Sequence, residues 1–268
     1  MESVYVRGFD DISDPVKTEH VIYKQLSELP DNIGKSYFYV VMPIAALLNK
    51  TGIINTQNII NDVCTNNKDK KLIFVCQHIQ VDKLNFHNNL VFTPHATILD
   101  SYIPIPHYSC NYDIDFSREW EQRQYDFSFM GDFSTHQTRT SLSKVLKDYP
   151  KTIFIDTKKW HFYSDQKTQS INKKNYIELL GNTKYSLCPR GTGPSTIRIW
   201  ESMAMGSCPI IFSDFLKMPM KLALESKLWI KLSESCDKIS VDNEPYDNQE
   251  YWNKFSNSNL YKSIISAI

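Results

Sequence analysis

Tyr185–Asp214 reads YSLCPRGTGPSTIRIWESMAMGSCPIIFSD. Tyr185 to Cys188 is a short apolar run stopped by Pro189, which suits a buried strand. Arg190-Gly191-Thr192-Gly193-Pro194 follows, and two glycines so close together let a backbone approach a ligand and take positive φ cheaply. Ser195 or Thr196 then offers an N-cap, and Ile197, Trp200 and Ala204 recur at helical spacing up to a stop at Gly206. Pro209 to Phe212 is the next strand, with Ser213 and Asp214 just past its end. This strand–loop–helix–strand order predicts an α/β fold, in which ligands bind beyond the carboxyl ends of the strands.

The loop has the chemistry of a nucleotide-phosphate site. Helix N-terminal N–H groups favour a phosphate, and Arg190 adds a charged fork. Arg198 and Glu201 stand three apart and share a helix face, the arginine suited to phosphate and the carboxylate to ribose hydroxyls. The competing reading is an ordinary Gly-Pro loop followed by a surface ion pair. The stretch is neither a Walker A loop, lacking Gly-Lys-Ser/Thr, nor a GxGxxG fingerprint.

Three blocks together resemble exostosin-like glycosyltransferases, glycosyltransferase family 47. The first is CPRGTGPSTIRIWESMAMGSCPIIFSD, with Cys-Pro-x-Gly, a short loop, Arg-x-x-Glu, and an apolar strand ending in Ser-Asp. The second is YDFSFMGDFSTHQTRTSLSKVL, Tyr125–Leu146, where Phe127, Phe129 and Gly131 lead to Arg139. The third and weaker is IPIPHYS, Ile103–Ser109. The resemblance runs from about Lys71 to Pro219, and the preceding residues match nothing nameable.

The resemblance implies an α/β fold of GT-B type, two facing Rossmann-like domains with a cleft between them. It implies an inverting glycosyltransferase, a hexosyl- or pentosyltransferase, moving a sugar from a nucleotide-sugar, expected to be a UDP-sugar, to a hydroxyl of a glycan or glycoprotein acceptor. Carried over by position, Arg190, Gly191, Thr192, Gly193, Ser195, Thr196, Arg198 and Glu201 become donor-binding candidates, joined by Gly131 and Arg139 for the diphosphate. Where relatives often have a second basic residue before the motif arginine, this chain has Ile197, so phosphate neutralisation falls to Arg139, Arg190 and Arg198. The alternative function is a nucleotide- or sugar-binding module that keeps the fold without the chemistry.

Composition sets limits. The chain has 268 residues, with 30 basic and 30 acidic side chains, and no long basic run, so nucleic acid is not an expected partner. None of the six cysteines forms a C-x-x-C pair, and several sit in apolar strands, which fits reduced thiols better than disulfides or zinc. No signal peptide or transmembrane run is visible, and the expectation is a small cytoplasmic enzyme of viral or microbial type. The sequon Asn49-Lys50-Thr51 is therefore read as chance.

Alternating strands and helices divide the chain into an acceptor-side α/β domain over 1–115 and a nucleotide-sugar-binding domain over 116–268. In the first, Val4–Arg7, Tyr37–Met42, Lys71–Cys76 and Leu90–Phe92 read as strands, with Val16–Leu29 and Ile53–Cys64 as helices. In the second, Phe127–Met130 and Thr152–Ile155 read as strands, with Arg139–Lys147 and Asn172–Gly181 as helices. A final helix within Asn248–Ile268 is expected to pack back on the first domain.

Inverting transfer needs a base for the acceptor hydroxyl. His78, His95 and His107 each follow a strand-like run, and a near-neutral pKa suits the task. His78 and His95 are the preferred candidates, with Asp10 and Asp11 as carboxylate alternatives. No cofactor is expected, because the nucleotide-sugar is the donor substrate, and dependence on a divalent metal is left open. Asp113-Ile114-Asp115 spells D-x-D but lies in the interdomain stretch without a preceding strand, so it is read as coincidence and no metal ligand is assigned.

Overall fold

The computed structural model describes residues 1–6, 17–29, 36–146, 149–158, 166–219, 228–241, 252 and 256–268. It has the α/β class read from the sequence, with two five-stranded parallel sheets, each in its own compact unit. One unit comprises Met1–Tyr108, Phe215–Met220 and Phe255–Ile268, the other Ser109–Asp214 and Lys221–Lys254.

In the first unit, β1 (Ser3–Tyr5), β2 (Tyr37–Val41), β3 (Lys71–Val75), β4 (Leu90–Thr93) and β5 (Ile103–Pro104) lie side by side in chain order. The near-continuous apolar runs of β2, β3 and β4 are what a parallel sheet covered on both faces requires. Phe38 pairs with Leu72 and Phe74 with Val91, and Val40, Phe74 and Phe92 are fully buried. Helix α1 (Lys17–Ser27) brings Glu19 into this core, where its carboxylate accepts from the backbone N–H of Gln77 at 2.8 Å and of Ala45 at 3.2 Å. Burial pushes that carboxyl up to about 8, against the pull of those backbone donors.

Helix α2 (Ile44–Asn66) is longer than the expected Ile53–Cys64, and it is interrupted at Gly52, with φ 76° and ψ 176°. Its first part, Ile44 to Leu48, is buried all round and so carries no helical periodicity to detect. The C-terminal helix Tyr261–Ile265 puts Leu260 and Ile264 in the same core, and Gln25 on α1 bonds both Asn257 O and Tyr261 N. Arg7 and Val16, at the edges of two expected elements, and most of 248–255 lie outside the described residues.

In the second unit the elements are β6 (Tyr125–Gly131), α3 (Gln137–Val145), β7 (Thr152–Asp156), α4 (Gln166–Gly181), β8 (Thr183–Pro189), α5 (Arg198–Ala204), β9 (Cys208–Phe212) and β10 (Ile230–Leu232). The strand order is β10-β9-β8-β6-β7, so the winding reverses between β6 and β8. That reversal is a topological switch point, where an open α/β sheet leaves a crevice at its carboxyl edge. Phe127, Phe129, Tyr185, Leu187, Ile210 and Phe212 form the core. Gly206 takes φ 67° and ends α5 with Gly206 N on Met203 O and Ser207 N on Ser202 O, the Schellman pattern anticipated from the glycine. Buried Arg123 ties the lead-in of β6 to the carbonyls of Arg118, Thr183 and Met205.

Among the described residues, no helix is long and apolar enough to cross a membrane.

Candidate functional site

At the switch point of the second unit lies a cavity of about 540 Å³. Its walls come from the carboxyl end of β6 (Gly131), the start of α3 (Arg139), the polar side of α4 (Tyr176), α5 (Arg198 and Glu201) and the segment before β6 (Asn111). Thus Gly131, Arg139, Thr196, Arg198 and Glu201, named from sequence, meet in one cavity.

Two guanidinium groups share one aromatic ring here. Arg198 stands 4.6 Å from the Phe129 centroid and Arg139 stands 5.4 Å from it, while Arg198 also lies 4.9 Å from the Tyr176 ring. Glycines make room for both. A Cβ on Gly131 would come within 3.3 Å of Arg198 Nη2, and one on Gly191 within 2.9 Å of Arg139 Nη2. Neither Gly191 nor Gly193 has positive φ, so close approach and not backbone freedom explains Gly191. Arg139 donates to Arg190 O at 3.1 Å and to Asp132 O at 2.8 Å. Burial, then the neighbouring Arg198, lowers its pKa to about 10. Arg198 Nη2 donates to Met130 O, while Nη1 is buried with no hydrogen-bond partner among the described residues. A buried cationic nitrogen without a partner is costly, and an anion in the cavity would supply one.

Glu201, expected to face a ribose, lines the cavity but is nearly closed off by its own partners. It is 1% exposed, and its Oε1 accepts from Asn111 N at 3.0 Å and Asn111 Nδ2 at 2.8 Å, while Oε2 accepts from Tyr176 OH at 2.8 Å. Cys110 Sγ lies 3.9 Å from Oε1. Burial pushes the carboxyl up, and Tyr176, Arg198 and Asn111 pull it back. Arg198 and Glu201 are therefore buried, each held by different partners, and are not a surface pair.

The rest of the glycine loop lies off the cavity. Arg190, Gly191, Thr192, Gly193 and Ser195 do not line it. Arg190 pairs instead with Glu234 at 3.5 Å, beyond β10, and Glu234 also stands 3.9 Å from His136. Helix α5 begins one or two residues later than a Thr196 or Ser195 cap would set it. Ile197 is the N-cap and makes no side-chain cap bond, so the capping expectation is corrected.

In the first unit the candidate bases differ sharply. His78 is half-buried, with Nδ1 accepting from Gln80 N at 3.1 Å and Nε2 3.2 Å from Asn49 Oδ1, so both ring nitrogens are engaged. His95 is 6% exposed and its Nδ1 has no partner among the described residues. Its ring meets that of His107 edge-on, with centroids 5.0 Å apart. Burial, then nearby His78, brings its pKa down to about 4 against a backbone hydrogen bond with Gln77. Asp10 and Asp11 lie outside the described residues. Asp113 of the D-x-D caps a short turn by accepting from Asp115 N at 3.2 Å.

Asn111, Tyr176 and Glu234 escaped the sequence reading. Tyr176 carries a signal in hindsight, since a tyrosine on the helix preceding β8 can reach the face of α5, but Asn111 and Glu234 sit in irregular segments without periodicity.

Residues 57–233 match the exostosin GT47 domain. An Exostosin-1 homolog of Caenorhabditis elegans is 25% identical over 146 residues, spanning 48% of this chain and 38% of the worm protein's length. Among solved structures, a GtfA/B complex shows 10% identity over 94% of this chain and 60% of its own, with a TM-score of 0.40. A UDP-N-acetylglucosamine 2-epimerase-like protein from Listeria monocytogenes shows 8% identity over 99% of this chain and 95% of its own, with a TM-score of 0.39.

Proposed function

This chain belongs to the exostosin GT47 family, and from that premise we propose that it is a glycosyltransferase whose second unit holds a nucleotide-sugar donor, a UDP-sugar, in the cavity at the switch point. The observation that carries this reading is Arg198. Its guanidinium is buried between Phe129 and Tyr176 on the cavity wall, with Nη1 lacking a partner. Arg139 stands 5.4 Å from the same ring and lines the same cavity, so the two cations form a cradle for a diphosphate. They would offset the charge that grows on the diphosphate as the sugar departs, a role for preorganised charge that calls for no cofactor.

Transfer is proposed to invert the anomeric carbon, with a glycan hydroxyl as acceptor and a base in the first unit taking its proton. His95 fits that base better than His78, because its Nδ1 lone pair is uncommitted. Isothermal titration with UDP tests the site. Native protein should bind, and Arg198→Ala should lose about tenfold or more in affinity, the scale of a lost charged hydrogen bond. Slow hydrolysis of UDP-sugars separates the enzyme from a binding module on the same fold. A native protein that binds no nucleotide refutes the reading.

A further inference from the structure

Glu201 has little left to offer a ligand. Its carboxylate already takes two donors from Asn111 and one from Tyr176, and it is 1% exposed. Asn111 is the reverse case. Its backbone N–H and its side-chain Nδ2 both point into Glu201, while the residue lines the cavity and remains half-exposed. A carboxylate only accepts hydrogen bonds, so it fixes which end of the Asn111 amide faces it. The amide nitrogen turns inward and Oδ1 is left on the other side, where no described residue donates to it.

We infer that Asn111 is the residue that reads the nucleoside of the donor, its Oδ1 accepting from a hydroxyl or imide N–H of the nucleotide. Glu201 is a positioning residue that acts through Asn111 and through Tyr176, whose ring carries Arg198. The inference rests on the proposed nucleotide site and assigns its chemistry residue by residue. The cations of Arg139 and Arg198 answer the phosphates, and a neutral amide oxygen answers a neutral donor group.

The probes are UDP, 2′-deoxy-UDP, CDP and inorganic pyrophosphate, titrated into the full chain. Asn111→Ala should weaken UDP by about tenfold, as expected for a buried hydrogen bond lost with its partner left unpaired, and leave pyrophosphate binding unchanged. A merely structural defect would weaken both together, and that result overturns the inference. Glu201→Ala should weaken UDP and, through Tyr176 and Arg198, pyrophosphate as well, and Glu201→Gln should restore most of both, because a glutamine oxygen can still accept from Asn111. If Glu201→Gln stays as weak as Glu201→Ala, the carboxylate itself touches the ligand and the inference fails. The analogues identify the donor group. Native protein should discriminate against 2′-deoxy-UDP if Oδ1 reads the ribose, or against CDP if it reads the base, and Asn111→Ala should abolish whichever preference exists. Preferences that survive in Asn111→Ala overturn the assignment. Native protein that binds neither UDP nor pyrophosphate removes the nucleotide site itself, whereas UDP binding indifferent to Asn111 removes only this inference.

Discussion

Acid should unfold this protein partly through His95. The imidazole is 6% exposed, its Nδ1 has no partner among the described residues, and its pKa falls from 6.5 to about 4 in the folded chain. A group whose folded pKa is depressed resists protonation that the unfolded chain accepts. Its neutral form thus supports stability fully above pH 6.5, loses that support as pH falls from 6.5 towards 4, and loses no more below. A difference of about 2.5 units corresponds to about 3 kcal/mol, a large share of the stability of a small domain. His107, packed edge-on against it and also held below its ordinary pKa by burial, pushes the same way. The assay is urea denaturation of native protein and His95→Gln between pH 7.5 and 4. The stability difference should swing by about 3 kcal/mol in favour of the variant as the pH is lowered. Parallel curves would refute the argument, because they would mean that His95 titrates alike in both states. If His95 is the base, the acid limb of kcat/KM should centre near 4 and not near 6.5.

Glu19 predicts the opposite slope. Its folded pKa near 8 against 4.5 means that stability present below 4.5 is lost as pH rises to 8, so Glu19→Gln should gain about 3 kcal/mol at pH 7, measured by the same denaturation series. Gly191→Ala places a Cβ 2.9 Å from Arg139 Nη2, a group pinned by two carbonyls, so the fold should survive while pyrophosphate affinity falls about threefold to tenfold by titration. Gly181→Ala would drive its Cβ into the backbone oxygen of Phe116, which cannot swing aside as a side chain can, and should destabilise by about 3 kcal/mol in calorimetry.

Much of this was legible because buried parallel strands write themselves as apolar runs. LIFV in β3, LVFT in β4 and PIIF in β9 stand out from their polar flanks, and the glycine that closes α5 announces itself. Of the two arginines of the cavity, Arg198 was readable from the spacing of the motif, and Arg139 from the family resemblance of Tyr125–Leu146. What stayed hidden lacks period or length. The first part of α2 is buried on every side, β10 has three residues, and Asn111 reaches Glu201 across ninety positions of sequence. The surroundings of Glu201 stayed hidden for a related reason. Sequence shows that a carboxylate shares a face with an arginine, but not how many donors already surround it.

The interruption of α2 has a consequence for how the first unit opens. Gly52 holds φ 76° with ψ 176°, a conformation closed to other residues, so the helical backbone is broken at that residue. Asn55 Nδ2 donates to Thr51 O at 2.9 Å and Thr51 Oγ1 lies 3.3 Å from Thr56 Oγ1, so side chains bridge the break in place of backbone. A helix joined this way is two cooperative blocks, not one. Amide exchange should divide at Gly52. Amides of the first block, sealed among Ile44, Ala46 and Leu47, should exchange only with opening of the whole unit, and those of the second block, with Ile54 exposed, by fraying of their own.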